Sequence, residues 1–308
     1  MVNIISVIAP IFILVALGAV LKIFKIADEN WISVLNRFGF YVGFPAIILN
    51  SFLTAPKEAI DFKIIGFNFF LLLIIFFVIY FVVKFLKFNR QLAGTYLACI
   101  FLGNIAYLGF PFITALINGS LINDSPTSLS MIICVYNLIF FGFGTFLLEK
   151  SLAEEKGQKI DSKGLLKNPY LWATLIGLFL FFANIRMPAT IQKCLDLLAG
   201  GTVAVVLLAI GMFIPRKFEL DKDFKHIMII GFLRLIVVPI IFISLGLLFF
   251  PLKKLGISVL EAAMPTAIGA FAVAEIYNLN KNIVINVIVV TTIFSIATLS
   301  LWAIILGV

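Results

Sequence analysis

Residues 99–112 read CIFLGNIAYLGFPF. They lie within an apolar run, yet they include two glycines, an asparagine and a proline. In hydrocarbon each unpaired backbone group costs several kcal/mol, so helix breakers there need a reason. That the surroundings are hydrocarbon follows from composition. Of the 308 residues 63% are hydrophobic, 12% are charged and 34 are Phe. A soluble domain of this length needs far more polar surface. The apolar residues fall in blocks of about 20, enough to span about 30 Å as helix. None alternates like a barrel strand. The chain reads as an all-α membrane protein whose solvent is the lipid bilayer.

Ten transmembrane spans are expected, near 4–24, 31–53, 63–85, 91–118, 128–149, 169–187, 189–214, 224–250, 256–278 and 282–307. The first segment, IISVIAPIFILVALGAVL (4–21), has no basic residue before it. Its apolar run is too long for a cleaved leader, so it is read as a span. The longest connection, EKSLAEEKGQKIDSKGLLKN (149–168), is charged and reads as a solvated linker. It separates a first five-helix repeat (1–150) from a second (169–308), with 151–168 as the linker proper. Of the 23 Lys and Arg, 15 fall around the loops after spans 1, 3, 5, 7 and 9, and six around the others. The positive-inside rule then puts both termini outside and the linker inside the plasma (inner) membrane. The same asymmetry explains the net charge of +8 without nucleic acid.

Five spans per half is an odd number, so the second half enters the membrane from the opposite side. PIFILVALG (10–18) and PYLWATLIG (169–177) match at an offset of 159. Two inverted repeats of this kind are an architecture of secondary transporters. Adding the same offset to Ala106 reaches Pro265, in VLEAAMPTAIGAFAVAEIYN (259–278). Spans 4 and 9 are thus both expected to be broken, and at related positions. Counting 1.5 Å per residue puts Asn104 about 20 Å from the inner surface and Pro265 about 14 Å from the outer one. Irregular backbone near the midplane is tolerated where it is buried in protein or lines a cavity. Two broken helices crossing there offer positive helix ends and backbone N–H groups to an anion. The breaks answer the opening question: they form the expected binding site.

These motifs resemble the auxin efflux carrier family, which includes plant PIN-formed carriers and prokaryotic carboxylate permeases. EAAMPTAIGAFAVAEIYN (261–278) is similar to the ninth span, GNIAYLGFP (103–111) to the fourth-span crossover, FYVGFPAIILNSF (40–52) to the second span, and NPYLWATLIG (168–177) to the start of the second half. The resemblance runs over almost the whole chain. It implies a scaffold of spans 1, 2, 6 and 7 and a transport domain of spans 3–5 and 8–10. It also implies an organic carboxylate as substrate and an elevator-like carrier that works without ATP hydrolysis. A homodimer through the scaffold is expected on the same ground. By motif, Asn104, Pro111 and Pro265 fall on the crossover, with Thr266 beside them, and Asn137 falls on a substrate-facing position. Two departures stand out. The loop between the halves is short, and Glu275 stands where the plant carriers resemble one another in having lysine.

Charges inside spans are costly and each needs a reading. Glu261 and Glu275 flank the ninth-span break and, with Arg37 and Arg234, are the coupling candidates. Arg37, Arg234 and Asp196 are expected to snorkel to the interface, His226 to be a solvated loop residue, and Asn50 and Asn68 to hold neighbouring helices. Asn137 is open between packing and ligand contact. Cys99, Cys134 and Cys194 lack metal or disulfide spacing and are expected to be buried packing residues. No cofactor is expected. The nucleophile, paired intramembrane aspartates or HExxH of an enzyme are not visible, nor is a Walker loop. The expected function is carriage of an organic anion, a dicarboxylate such as malate or malonate or an auxin-like aromatic acid. An anion channel and a membrane receptor are the alternatives.

Overall fold

The computed structural model describes residues 4–54, 61–118, 122, 126–139, 144, 169–185, 187–213 and 223–308. These form helices α1 (Ile4–Ile23), α2 (Glu29–Phe38), α3 (Phe44–Leu53), α4 (Phe62–Phe85), α5 (Arg90–Phe101), α6 (Phe110–Asn118) and α7 (Pro126–Leu138). After the linker, which lies outside the described residues, come α8 (Pro169–Phe182), α9 (Ala189–Met212), α10 (Phe224–Phe232), α11 (Val238–Gly246), α12 (Gly256–Ala262), α13 (Gly269–Ile276) and α14 (Lys281–Leu306). Among the described residues there is no strand, only an isolated bridge. Five stretches are long and apolar enough to cross a membrane: Asn30–Asn50, Phe62–Phe85, Ala189–Met212, Phe224–Gly246 and Lys281–Leu306. Their outer faces carry exposed Phe70, Phe81, Phe85, Phe232 and Phe294, the surface expected of helices whose solvent is lipid rather than water.

Three of the long helices are not uniform, and proline explains why. π-helical turns occupy Gly39–Gly43, Ile105–Gly109 and Leu233–Val237. A proline follows each by two residues: Pro45, Pro111 and Pro239. A proline ring inside a helix removes one N–H and collides with the carbonyl four residues back. Widening the preceding turn relieves that collision. The carbonyl four residues before Pro239 belongs to Leu235, and the indole Nε1 of Trp302 donates to it at 2.9 Å. A tryptophan on α14 thus replaces the hydrogen bond that Pro239 cannot make.

Packing divides the helices into two neighbourhoods. α1 lies along α9, and α3 lies on α8 and α9. Small residues allow this closeness, as between membrane helices generally. Gly18 abuts the Leu208 carbonyl, Gly211 abuts the Val15 carbonyl, and Gly177 lies on the Phe52 ring. A small core of Phe44, Ile47, Ile48, Phe52, Ala173 and Val206 fills this group. α4–α7 and α10–α14 share a larger core, to which α1 and α9 also contribute. Asn68 on α4 is buried there and donates to Ser258 Oγ of α12 at 2.8 Å. At the edge, Lys254 Nζ meets the Asp61 carboxylate at 3.0 Å. Burial pushes the Asp61 carboxyl up, but Lys254 and the Lys63 and Ile64 N–H groups together hold it below its usual value.

Candidate functional site

Two helices stop abruptly where they meet. α5 ends at Phe101, and neither Leu102 (φ −77°, ψ 77°) nor Asn104 (φ −76°, ψ 47°) is helical. α12 ends at Ala262, and Ala263–Ile268 separates it from α13. The two interruptions pair in antiparallel fashion through Gly103 and Thr266. The Asn104 N–H donates to the Pro265 carbonyl at 2.6 Å, and the Ala267 N–H donates to the Leu102 carbonyl at 2.7 Å. Pro265 is buried and lacks an N–H, so its carbonyl serves as the acceptor in this short ladder. Thr266 locks the arrangement. Its N–H donates to Thr291 Oγ1 at 3.1 Å, and its hydroxyl donates to the Cys99 carbonyl at 2.8 Å.

The sequence-based expectation that free N–H groups lie right at the breaks is therefore corrected. Those of Asn104 and Ala267 pair the two segments and that of Thr266 is taken by Thr291, since a buried N–H without a partner is costly. In the next turn Leu108 and Gly109 bond back to the Asn104 carbonyl, whereas the N–H groups of Ile105 and Ala106, which open it, have no carbonyl of their own helix to meet.

Arg234 holds both helix ends, and its expected snorkelling is overturned. It is 1% exposed. Its Nε donates to the Met264 carbonyl at 2.7 Å, Nη1 to Ile100 at 2.9 Å and Nη2 to Glu261 at 3.3 Å. Ile100 and Glu261 each stand one residue from a helix C-terminus. Helix C-termini carry about −0.5 charge each, so two of them balance one guanidinium. Gly103 makes room: a Cβ there would overlap the guanidinium.

Around this cap lie buried polar atoms without hydrogen-bond partners among the described residues: Asn104 Nδ2, the Tyr136 hydroxyl and both carboxyl oxygens of Glu261. Of the other anticipated residues, Pro111 is half-buried in the first turn of α6, where a missing N–H does least harm. Asn137 lies on α7 and Glu275 on α13, but their side chains lie outside the described residues. Arg37 is exposed on α2. Tyr136 was not singled out from sequence. Its neighbour Asn137 was, one position round the helix.

Three further expectations change. Asp196 does not snorkel alone: it accepts from Asn50 Nδ2 at 2.9 Å and Gln192 Nε2 at 3.3 Å, while Gln192 also donates to Asn50. His226 is in α10 rather than a loop. It is half-buried, with Nδ1 2.9 Å from the Tyr96 hydroxyl and its ring against Phe88. Cys99 is buried as expected, but Cys194 is exposed.

Comparison with known proteins gives the same picture at the level of family. Residues 3–303 match the family described as "Membrane transport protein". An uncharacterized transporter of Methanocaldococcus jannaschii is 27% identical over 96% of this chain and 97% of its own length. The uncharacterized transporter YfdV of Escherichia coli is 22% identical over 95% and 94%. A Rhizobium meliloti protein named "Putative malonate transporter" is 23% identical over 97% and 95%. The chain belongs to the membrane transport protein family, the auxin efflux carrier family that its motifs resemble, and is a multi-pass membrane transporter.

Proposed function

We propose that this transporter is a secondary carrier of an organic carboxylate, working by alternating access, with the substrate held where the two interrupted helices meet. In this reading the helices belong to ten spans arranged as two inverted five-helix repeats, and the interruptions are the crossover of spans 4 and 9. α1–α3, α8 and α9 form the scaffold, and α4–α7 with α10–α14 form the transport domain. The packing of α1, α3, α8 and α9 on one another supports that division. Both termini lie on the extracytoplasmic side.

The observation that carries the reading is the Gly103–Thr266 pairing with the Asn104 amide beside it. Asn104 is 2% exposed and its Nδ2 donor has no partner, a costly arrangement unless a ligand uses it. The half-helix starting at Ile105 directs its first N–H groups and positive end to the same place. A carboxylate suits such a donor set. Malonate, which the Rhizobium meliloti relative is named for, and other small dicarboxylates are the first substrates to try.

Uptake of labelled malonate, malate and an aromatic acid into proteoliposomes tests the reading. Wild-type protein accumulates or exchanges at least one of them. Asn104→Ala reduces that uptake about 10- to 100-fold while the folded protein stays in the membrane. Pro265→Ala, which restores an N–H and helix propensity, does similar damage. Wild-type rates in both variants would overturn the assignment of the site.

A further inference from the structure

Glu261 is a buried carboxyl with no visible purpose in the packing. It is 0% exposed and neither oxygen has a hydrogen-bond partner among the described residues. The carboxyl lies against Gly109 of the opposite interrupted span, where a Cβ would come within 2.9 Å of Oε2. A side chain at Gly109 would therefore displace it.

The groups facing it can be enumerated. From the Leu233–Val237 turn comes Arg234, whose three nitrogens all donate to backbone carbonyls, one of them that of Glu261 itself. From α7 come Tyr136, buried and with its hydroxyl unpaired among the described residues, and Cys134, whose side chain lies outside them. From the Ile105–Gly109 turn the only titratable side chain is that of Tyr107. α11 carries none, and α14 has only Lys281 at its exposed start. Lys253 and Lys254, in the turn before α12, are exposed.

Arg234 is thus balanced by two helix ends and gives Glu261 no side-chain hydrogen bond. An ionised carboxylate in such a place, without a donor, costs several kcal/mol, and the neutral acid costs much less. The elements packed against it carry the means to receive it charged. The Asn104 amide and the Tyr136 hydroxyl are idle donors, and either can turn to the carboxylate once the transport domain moves and water enters.

We infer that Glu261 is a proton-carrying site coupled to substrate movement, an inference that rests on the carrier reading above. A proton from water on one side forms the O–H bond of the Glu261 carboxyl, which is then buried as in the state described here. It returns to water on the other side when the moving domain opens the pocket, leaving the carboxylate hydrogen-bonded to Asn104 or Tyr136. No other reactant is required. The proton crosses with an anionic substrate and offsets part of its charge.

Two measurements test this separately from the carrier reading. Infrared difference spectra of purified protein in lipid nanodiscs need no substrate. Wild type shows a neutral-carboxyl stretch near neutral pH that Glu261→Gln lacks, and Glu261→Asp shifts its frequency should the Gln variant fail to fold. Absence of the band in wild type overturns the inference. So does its removal by sodium at constant pH, which would make Glu261 a sodium ligand. In proteoliposomes, a pH gradient drives net uptake by wild type, and Glu261→Gln lowers that uptake about tenfold relative to substrate exchange. Equal pH drive in both proteins overturns the coupling. If wild type takes up no carboxylate at all, the carrier reading fails, and proton coupling to substrate fails with it. The infrared band then decides only whether Glu261 holds a proton.

Discussion

Two of the polar clusters among the described residues differ in how fully their atoms are paired. Between α3 and α9, Asn50, Gln192 and Asp196 bond to one another at the periphery. At the interrupted helices each nitrogen of Arg234 donates a hydrogen bond, while Asn104 Nδ2, the Tyr136 hydroxyl and the Glu261 carboxyl are buried without partners among the described residues. Holding helices together requires only the first kind of cluster. Idle donors and acceptors in hydrocarbon are expensive, and they mark a place prepared for something that comes and goes.

The largest effect expected from this contrast is at Arg234. Arg234→Met leaves the carbonyls of Ile100, Met264 and Glu261 without their cation. It should cost about 3–5 kcal/mol, read as a lower Tm or lost folded yield. Arg234→Lys repairs little, because a single ammonium cannot reproduce the guanidinium fork. Gly103→Ala drives a methyl into the same space and costs less, about 1–3 kcal/mol. Unchanged Tm in all three would mean that the cap does not hold the helix ends. At the other end of the scale, Asp196→Asn should change stability by about 0.5–1.5 kcal/mol and leave uptake intact. If Asp196→Asn abolished uptake as Asn104→Ala does, the peripheral cluster would belong to the site and the contrast would fail.

Much of this was legible in the chain itself. Apolar blocks locate the helices, and Gly103-Asn104 and Pro265 mark the two interruptions. What could not be read was direction. Distance along a helix put Arg234 two turns from the interface and favoured snorkelling. Its partner Ile100 lies 134 residues away, and nothing local says which way the side chain turns. Asp196 and His226 were misread for the same reason, since their partners Asn50 and Tyr96 lie 146 and 130 residues away. The π-helical turns before Pro45, Pro111 and Pro239 were within reach. The prolines are plain in the sequence, and a ring inside a helix favours a widened turn before it, although Pro10 within α1 does without one.

The central claim is that the meeting of the two interrupted helices is where the substrate sits, reached alternately from each side. Ala106, half-buried in the turn after the first interruption, reports on this directly. With Cys99, Cys134 and Cys194 replaced by serine, Ala106→Cys is the only thiol, and impermeant thiol reagents can be applied to either face of oriented proteoliposomes. The account predicts labelling from both faces, slowed from both by the carboxylate that the wild type transports. Labelling from one face only, or at a rate indifferent to that carboxylate, would contradict it.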